Sequence, residues 1–213
     1  KILKHADPKT LRVDEATGDL MDDNYVYMRG RRLEAIVDGE AIPVESSSWR
    51  FLCRNPFRTD GRFVFNLHEH MINADPISFH ALDYGYAKDA TQVWDDGSIL
   101  AGADASTFEP LSPSYSKDQA TVWYRRRPIK GAHAPSFRLL AKQAGTSERV
   151  GVDCDSVWYF GKRVDGASAL SIEALPDGYF RDENSMWYRG RRLDEHDTLP
   201  SFPLDLQQQG NSR

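Results

Sequence analysis

One interval recurs along this chain and constrains its fold more than any other feature. Phe65, Trp94 and Trp123 stand 29 residues apart, as do Trp158 and Trp187, while Trp123 to Trp158 is 35 and Tyr27 to Phe65 is 38. An aspartate precedes each of these aromatics by five residues, at Asp22, Asp60, Asp89, Asp118, Asp153 and Asp182. An aliphatic follows six residues after, at Leu33, Met71, Leu100, Ile129, Val164 and Leu193. Ser or Thr with a large apolar residue comes next, at Ser78-Phe79, Thr107-Phe108, Ser136-Phe137 and Ser171-Ile172, and then Leu82, Leu111, Leu140 and Leu175. Self-similarity at such a period marks a repeat architecture, in which no unit buries its apolar face alone and neighbours supply the rest of the core.

The register divides 1–213 into a single repeat domain. A half-unit occupies 1–14, units follow at about 15–52, 53–82, 83–111, 112–140, 141–175 and 176–206, and a polar tail closes the chain at 207–213. The half-unit is recognised because Ala6-Asp7-Pro8-Lys9-Thr10-Leu11 repeats Ala74-Asp75-Pro76-Ile77-Ser78-Phe79 position for position. The two long intervals place insertions at 34–48 and 141–150. Insertions in repeats map to surface loops, often on a binding face.

Within a unit, Val122-Trp123-Tyr124, then three arginines, then Pro128-Ile129 reads as a β-hairpin with a polar turn. The sister turns Arg29-Gly30-Arg31, Phe160-Gly161-Lys162 and Arg189-Gly190-Arg191 carry Gly where a two-residue turn needs positive φ. The repeated aspartate suits an Asx-turn leading into the strand. A unit of 29 residues has room for three or four short strands and for no helix of ordinary length. A lone hairpin is unstable in water. The expected fold is therefore all-β: tandem hairpin repeats of about 29 residues stacked into an elongated or curved array, with Trp94, Trp123, Trp158 and Trp187 buried. Propeller blades, at about 40 residues, are longer than this unit.

The segments Tyr86-Ala87-Lys88-Asp89 through Leu111 and Tyr115-Ser116-Lys117-Asp118 through Leu140 resemble the DKNYY repeat family of bacterial proteins. Lys117-Asp118-Gln119 and Arg181-Asp182-Glu183-Asn184 are approximate copies of its tetrad, with Trp often replacing the first Tyr. The resemblance covers nearly the whole chain. It implies a repeat architecture and an exported or envelope-associated protein, and it brings no catalytic residues with it.

Charge narrows the partners. The chain has 32 acids against 27 Lys and Arg, a formal charge of -5, which disfavours a dedicated binder of nucleic acid or anionic membrane. No apolar run approaches the ~20 residues of a membrane span. The start at Lys1 rather than Met leads us to expect that an upstream signal peptide has been removed, which together with the resemblance places the protein in the periplasm or cell envelope. Cys53 and Cys154 form no CxxC motif, and spacing leaves open whether they pair.

No cofactor, metal or catalytic site is expected. His68-Glu69-His70 could offer two imidazoles to zinc from one face of a strand, but spacing supplies no third ligand, and the triplet is expected in a hairpin turn. The clusters Asp22-Asp23-Asn24, Asp95-Asp96-Gly97, Asp153-Cys154-Asp155 and Asp182-Glu183-Asn184 lack the ligand alternation and closing Glu of a calcium loop and read as turns. There is no Gly-x-Ser-x-Gly elbow, His-Glu-x-x-His helix or phosphate-binding glycine loop. The arginine turns fall in hairpins one, four and six, so they are expected to be separated along the stack.

A rigid scaffold without chemistry suggests a protein-binding module. Its sharpest form is an immunity protein that occludes a secreted antibacterial toxin, a lipase or cell-wall hydrolase of the kind delivered by type VI secretion. The alternative is an envelope glycan-binding or structural repeat protein. A specific partner must be recognised where the regularity breaks. Trp49 has no aromatic counterpart, its equivalents being Ile77, Ser106, Pro135 and Leu170. Tryptophan is also enriched among binding hot spots. Trp49 and the acids Glu34, Asp38, Glu40 and Glu45 are thus the expected contacts with a basic cleft rim.

Overall fold

The computed structural model describes residues 3, 5–52, 56–67, 69–140, 149–194 and 196–197. Among them the chain forms six four-stranded antiparallel sheets, each a meander with its strands in chain order, and one two-stranded hairpin. The sheets span 12–32, 50–70, 80–99, 109–128, 138–163 and 173–192. Helix is confined, among the described residues, to three 3-10 turns at Asp83–Gly85, Ala134–Ser136 and Pro176–Gly178. The third sheet shows the plan: strands His80–Ala81, Tyr86–Lys88, Val93–Asp95 and Ser98–Ile99, with Ala87 opposite Trp94. Each sheet takes its first strand from the end of the preceding sequence unit. The half-unit accordingly supplies Arg12–Val13, the first strand of sheet one.

The central strands are buried on both faces because alternate side chains meet different neighbours. In sheet three, Ala87 and Trp94 pack with Phe57 and Val64, from strands of sheet two, and with Met71 and Phe79, from the segment between the two sheets. Tyr86 and Val93 point the other way and pack with Leu100, Phe108 and Trp123 of the next unit. The pattern repeats between sheets four and five around Trp158, and between five and six around Trp187. Trp94, Trp123, Trp158 and Trp187 are all buried, as the column predicts. The residue opposite each Trp is small where the ring needs room, as at Ala87, Ser116 and Gly151. A Cβ on Gly151 would lie 2.2 Å from the Phe137 ring.

The aspartate column does more than turn the chain. One oxygen of Asp89 accepts the N–H groups of Thr91 and Gln92 at 2.7 Å each, which is the Asx-turn, and the other accepts the N–H of Asp75 at 3.0 Å. Asp22, Asp118, Asp153 and Asp182 repeat this geometry with Asp7, Asp104, His133 and Ser168. Each of these carboxylates ties its own turn to the loop that leads into its sheet. The Ser/Thr column assists: Thr10, Ser78, Thr107 and Ser136 accept the N–H of the residue after the aspartate. Asp60 departs from the pattern. Its second oxygen binds the Arg62 guanidinium, because the insertion occupies the place of the loop that would have reached it. Burial pushes the Asp22 carboxyl up, but the N–H of Asp7, the Tyr27 hydroxyl and the N–H groups of Tyr25 and Asn24 outweigh it and bring it down to about 2.

Candidate interaction surface

The insertion after Leu33 is not an irregular loop. Glu34–Val37 and Glu40–Pro43 pair as an antiparallel hairpin, turned by Asp38 (φ 51°) and Gly39 (φ 83°). Two consecutive positive φ values suit an Asp-Gly pair and match the twist of the flanking strands. The hairpin root is fixed in the core between sheets one and two. Ala35 and Val44 are fully buried with Leu33, Val26, Trp49 and Phe65, and the Val44 N–H reaches the Leu33 carbonyl at 3.0 Å. On the side facing sheet two, His70 accepts the N–H of Ile36 through Nδ1 at 3.2 Å and sits edge-on to Phe63. Burial holds the pKa of this imidazole below the ordinary histidine value.

Trp49 belongs to this root. Its side chain is 7% exposed, it meets Phe65 edge-on at 5.5 Å, and its indole N–H donates to Asp19 at 2.9 Å. The same Asp19 oxygen accepts from Arg58 Nε at 2.7 Å, a buried ion pair that stands opposite Phe65 in sheet two. The expectation that Trp49 meets a partner therefore gives way to a role as an anchor. Ile77 and Leu170, its counterparts in regular units, are 93% and 94% exposed, and Trp49 is covered because the hairpin roofs over it.

The four acids divide. Glu34 pairs with Arg32 at 3.2 Å and Glu45 with Arg62 at 3.4 Å, so both are neutralised within the chain. Asp38 and Glu40, at the hairpin tip, are exposed and in no ion pair among the described residues. With Ile36, 48% exposed, they form a rim of two free carboxylates beside an apolar side chain. The second insertion, 141–150, lies mostly outside the described residues. Only Arg149 and Val150 are described, and Val150 begins a strand of sheet five.

The other sequence candidates resolve into structure. Glu69–His70 forms a strand rather than a turn, because its pairing with Phe65 and Asn66 continues the sheet, and His68 lies outside the described residues. Among the described residues no group of three His, Cys, Asp or Glu is placed to hold a metal ion. The aspartates of three acidic clusters, Asp22, Asp153 and Asp182, head the Asx-turns. Asp95 and Asp96 instead lie at a hairpin turn, where Asp96 has φ 47°. Cys154 is an exposed free thiol, and Cys53 lies outside the described residues. No described helix is long and apolar enough to cross a membrane.

The arginine turns of hairpins four and six are separated by hairpin five, as expected, but share an edge with its turn. Turns of successive units stack on one edge, since a Cβ on Gly97 would strike Asn66, one on Gly161 would strike Tyr124, and one on Gly190 would touch Tyr159. Hairpins four and six are therefore joined by the turn of hairpin five, which adds Lys162 to the same edge.

No curated protein and no solved structure matches the chain. The DKNYY family profile matches residues 1–127, which cover the first three sheets and all but the last residue of the fourth, and the fifth and sixth repeat the same strand plan and aspartate geometry beyond it. With that match over more than half its length, the chain belongs to the DKNYY family.

Proposed function

We propose that this protein is a non-catalytic protein-binding module, and that it acts as an immunity protein which occludes a secreted antibacterial toxin of lipase or cell-wall hydrolase type in the periplasm or envelope. The observation that carries the reading is the hairpin 34–43. Among the described residues it is the point where a regular stack presents something no other unit has, on a root fixed by Ala35, Val44 and Trp49. A preorganised element loses little conformational freedom on binding. Its tip offers Asp38 and Glu40 with no cation to neutralise them, complementary to the basic rim of an enzyme cleft.

The test is protection. Cells are made to export a candidate toxin of lipase or cell-wall hydrolase type, together with this chain or its D38N/E40Q variant. The wild type should preserve viability and form a one-to-one complex with the hydrolase. The variant, whose changes touch no core residue, should bind at least about tenfold more weakly, as loss of two charge contacts at a rim allows. A folded variant that protects as well as the wild type would move the interface away from the hairpin. A wild-type chain that neither binds nor protects would remove the immunity reading.

A further inference from the structure

We propose that the turn edge of units four to six is a second binding site, for an acidic polysaccharide recognised through its carboxylates. It is independent of the hairpin and of its partner.

Between the turns of units four and five lies an open groove of about 570 Å³, lined by Tyr124, Arg125, Arg127, Ile129, Phe160 and Lys162 among others. Its cations are Arg125, Arg127 and Lys162, all exposed, and among the described residues no carboxylate lines it. None of the three is in an ion pair among the described residues, although the chain as a whole is acidic. The row continues in unit six with Arg189, exposed and also without an ion pair among the described residues. Acids close both ends of the row. Towards unit three, Arg126 lies 3.9 Å from Asp95, with Asp96 adjacent, and beyond Arg189 the neighbouring Arg191 pairs with Asp197.

The cations are also held in place. The Arg125 guanidinium lies 5.6 Å from the centre of the Tyr124 ring, that of Arg149 lies 5.3 Å from Phe160, and that of Arg189 lies 5.0 Å from Tyr188. A guanidinium stacked on an aromatic face keeps its N–H edge free for a planar oxyanion. Three of the aromatic rings are thereby capped by guanidinium groups, which removes the bare platforms on which the bases of a single-stranded nucleic acid would stack.

Spacing selects the form of the ligand. The cations do not converge on one point, as a lone phosphate would need. They recur in each of units four, five and six along the stack, where facing sheets pack about 10 Å apart. A polymer with an anionic group at regular intervals matches a row of that kind, and a carboxylated glycan is such a polymer. The groove between units four and five, with the exposed ring of Pro128 beside the charges, provides apolar contact for the sugar between carboxylates.

Affinity electrophoresis through gels containing polygalacturonate tests the assignment, with neutral dextran, single-stranded DNA and phosphatidylglycerol vesicles as comparison probes. The wild-type chain should be retarded by polygalacturonate and not by dextran, and the retardation should fall as salt is added. The R125Q/K162Q/R189Q variant should bind at least about tenfold more weakly, and K162Q alone, which serves if the triple variant does not fold, about threefold more weakly. The variant R29Q/R31Q, which removes two arginines from the turn of unit one, should bind as the wild type does. No retardation of the wild type, equal retardation of the triple variant, or an equal loss in R29Q/R31Q would overturn the proposal. Stronger binding to DNA or to the vesicles than to polygalacturonate would also overturn it and give the edge to that anion instead.

Discussion

Replacing Asp89 by Ala removes one carboxylate that serves two purposes. The buried side chain accepts the N–H groups of Thr91 and Gln92 within its own turn and the N–H of Asp75 from the preceding loop. At about 1 kcal/mol net for each hydrogen bond, D89A should cost about 3 kcal/mol. Asp60 supplies an internal comparison. It holds its turn through Arg62 and Phe63 N–H groups, but its second oxygen meets the Arg62 side chain rather than a preceding loop. D60A also loses two bonds from the Arg62 guanidinium, so it should cost about as much as D89A, about 3 kcal/mol, but without releasing a preceding loop. D89N should fall between wild type and D89A, since its carboxamide oxygen can keep the turn while its NH2 faces the N–H of Asp75. Urea unfolding followed by tryptophan fluorescence and circular dichroism reads all three. In a stack governed by nearest-neighbour coupling, loss of a tie at the unit junction should also lower the slope m, as the units decouple. If D89A left m unchanged, as D60A should, the carboxylate would not couple the loop to the sheet.

Four further outcomes follow from the same geometry. G161A adds a Cβ 2.6 Å from Tyr124 at φ +71°, whereas G102A at φ +79° meets open space, so G161A should cost about 1–3 kcal/mol more in thermal or urea unfolding. W49A should cost about 3–5 kcal/mol, and W49F, which removes the indole N–H from Asp19, about 1 kcal/mol, both by urea unfolding. The carboxyls of Asp22, Asp89, Asp153 and Asp182 lie below their ordinary value of 3.8 in the folded state, Asp22 at about 2. Their contribution is therefore complete above about pH 4 and is lost as pH falls towards 2, which urea midpoints across that range will record. His70, lowered from 6.5, gives stability that is complete above about pH 6.5 and declines as pH falls below it; H70Q should flatten the decline between pH 7 and 5.

The core was legible because a repeat exposes it by arithmetic. Trp94, Phe79 and Leu100 recur at fixed intervals since each must meet the same neighbour, and the structure finds them buried together with their counterparts. The turn role of the aspartates was legible too. Their second oxygen was not, because the N–H it accepts lies 14 or more residues away and backbone groups leave no mark in a sequence. The hairpin carried a local signal that went unread: Ala35-Ile36-Val37 and Ala41-Ile42-Pro43 flank Asp38-Gly39, the pair that favours a two-residue turn. The Asp19–Arg58–Trp49 network could only have been suspected from Arg58, a large charged residue in the column that holds Ala87, Ser116 and Gly151 in later units. The continuity of the basic edge depends on how turns stack, which spacing between arginines does not reveal.

The most direct test of a recognition element set into an otherwise regular stack is amide hydrogen exchange of the chain, alone and saturated with the toxin hydrolase proposed as its partner. The account predicts that added protection concentrates in residues 34–45, around the exposed tip at Asp38 and Glu40, while the amides of sheets three to six exchange as they do in the free chain. Protection confined to sheets three to six, with the hairpin unchanged, would contradict it.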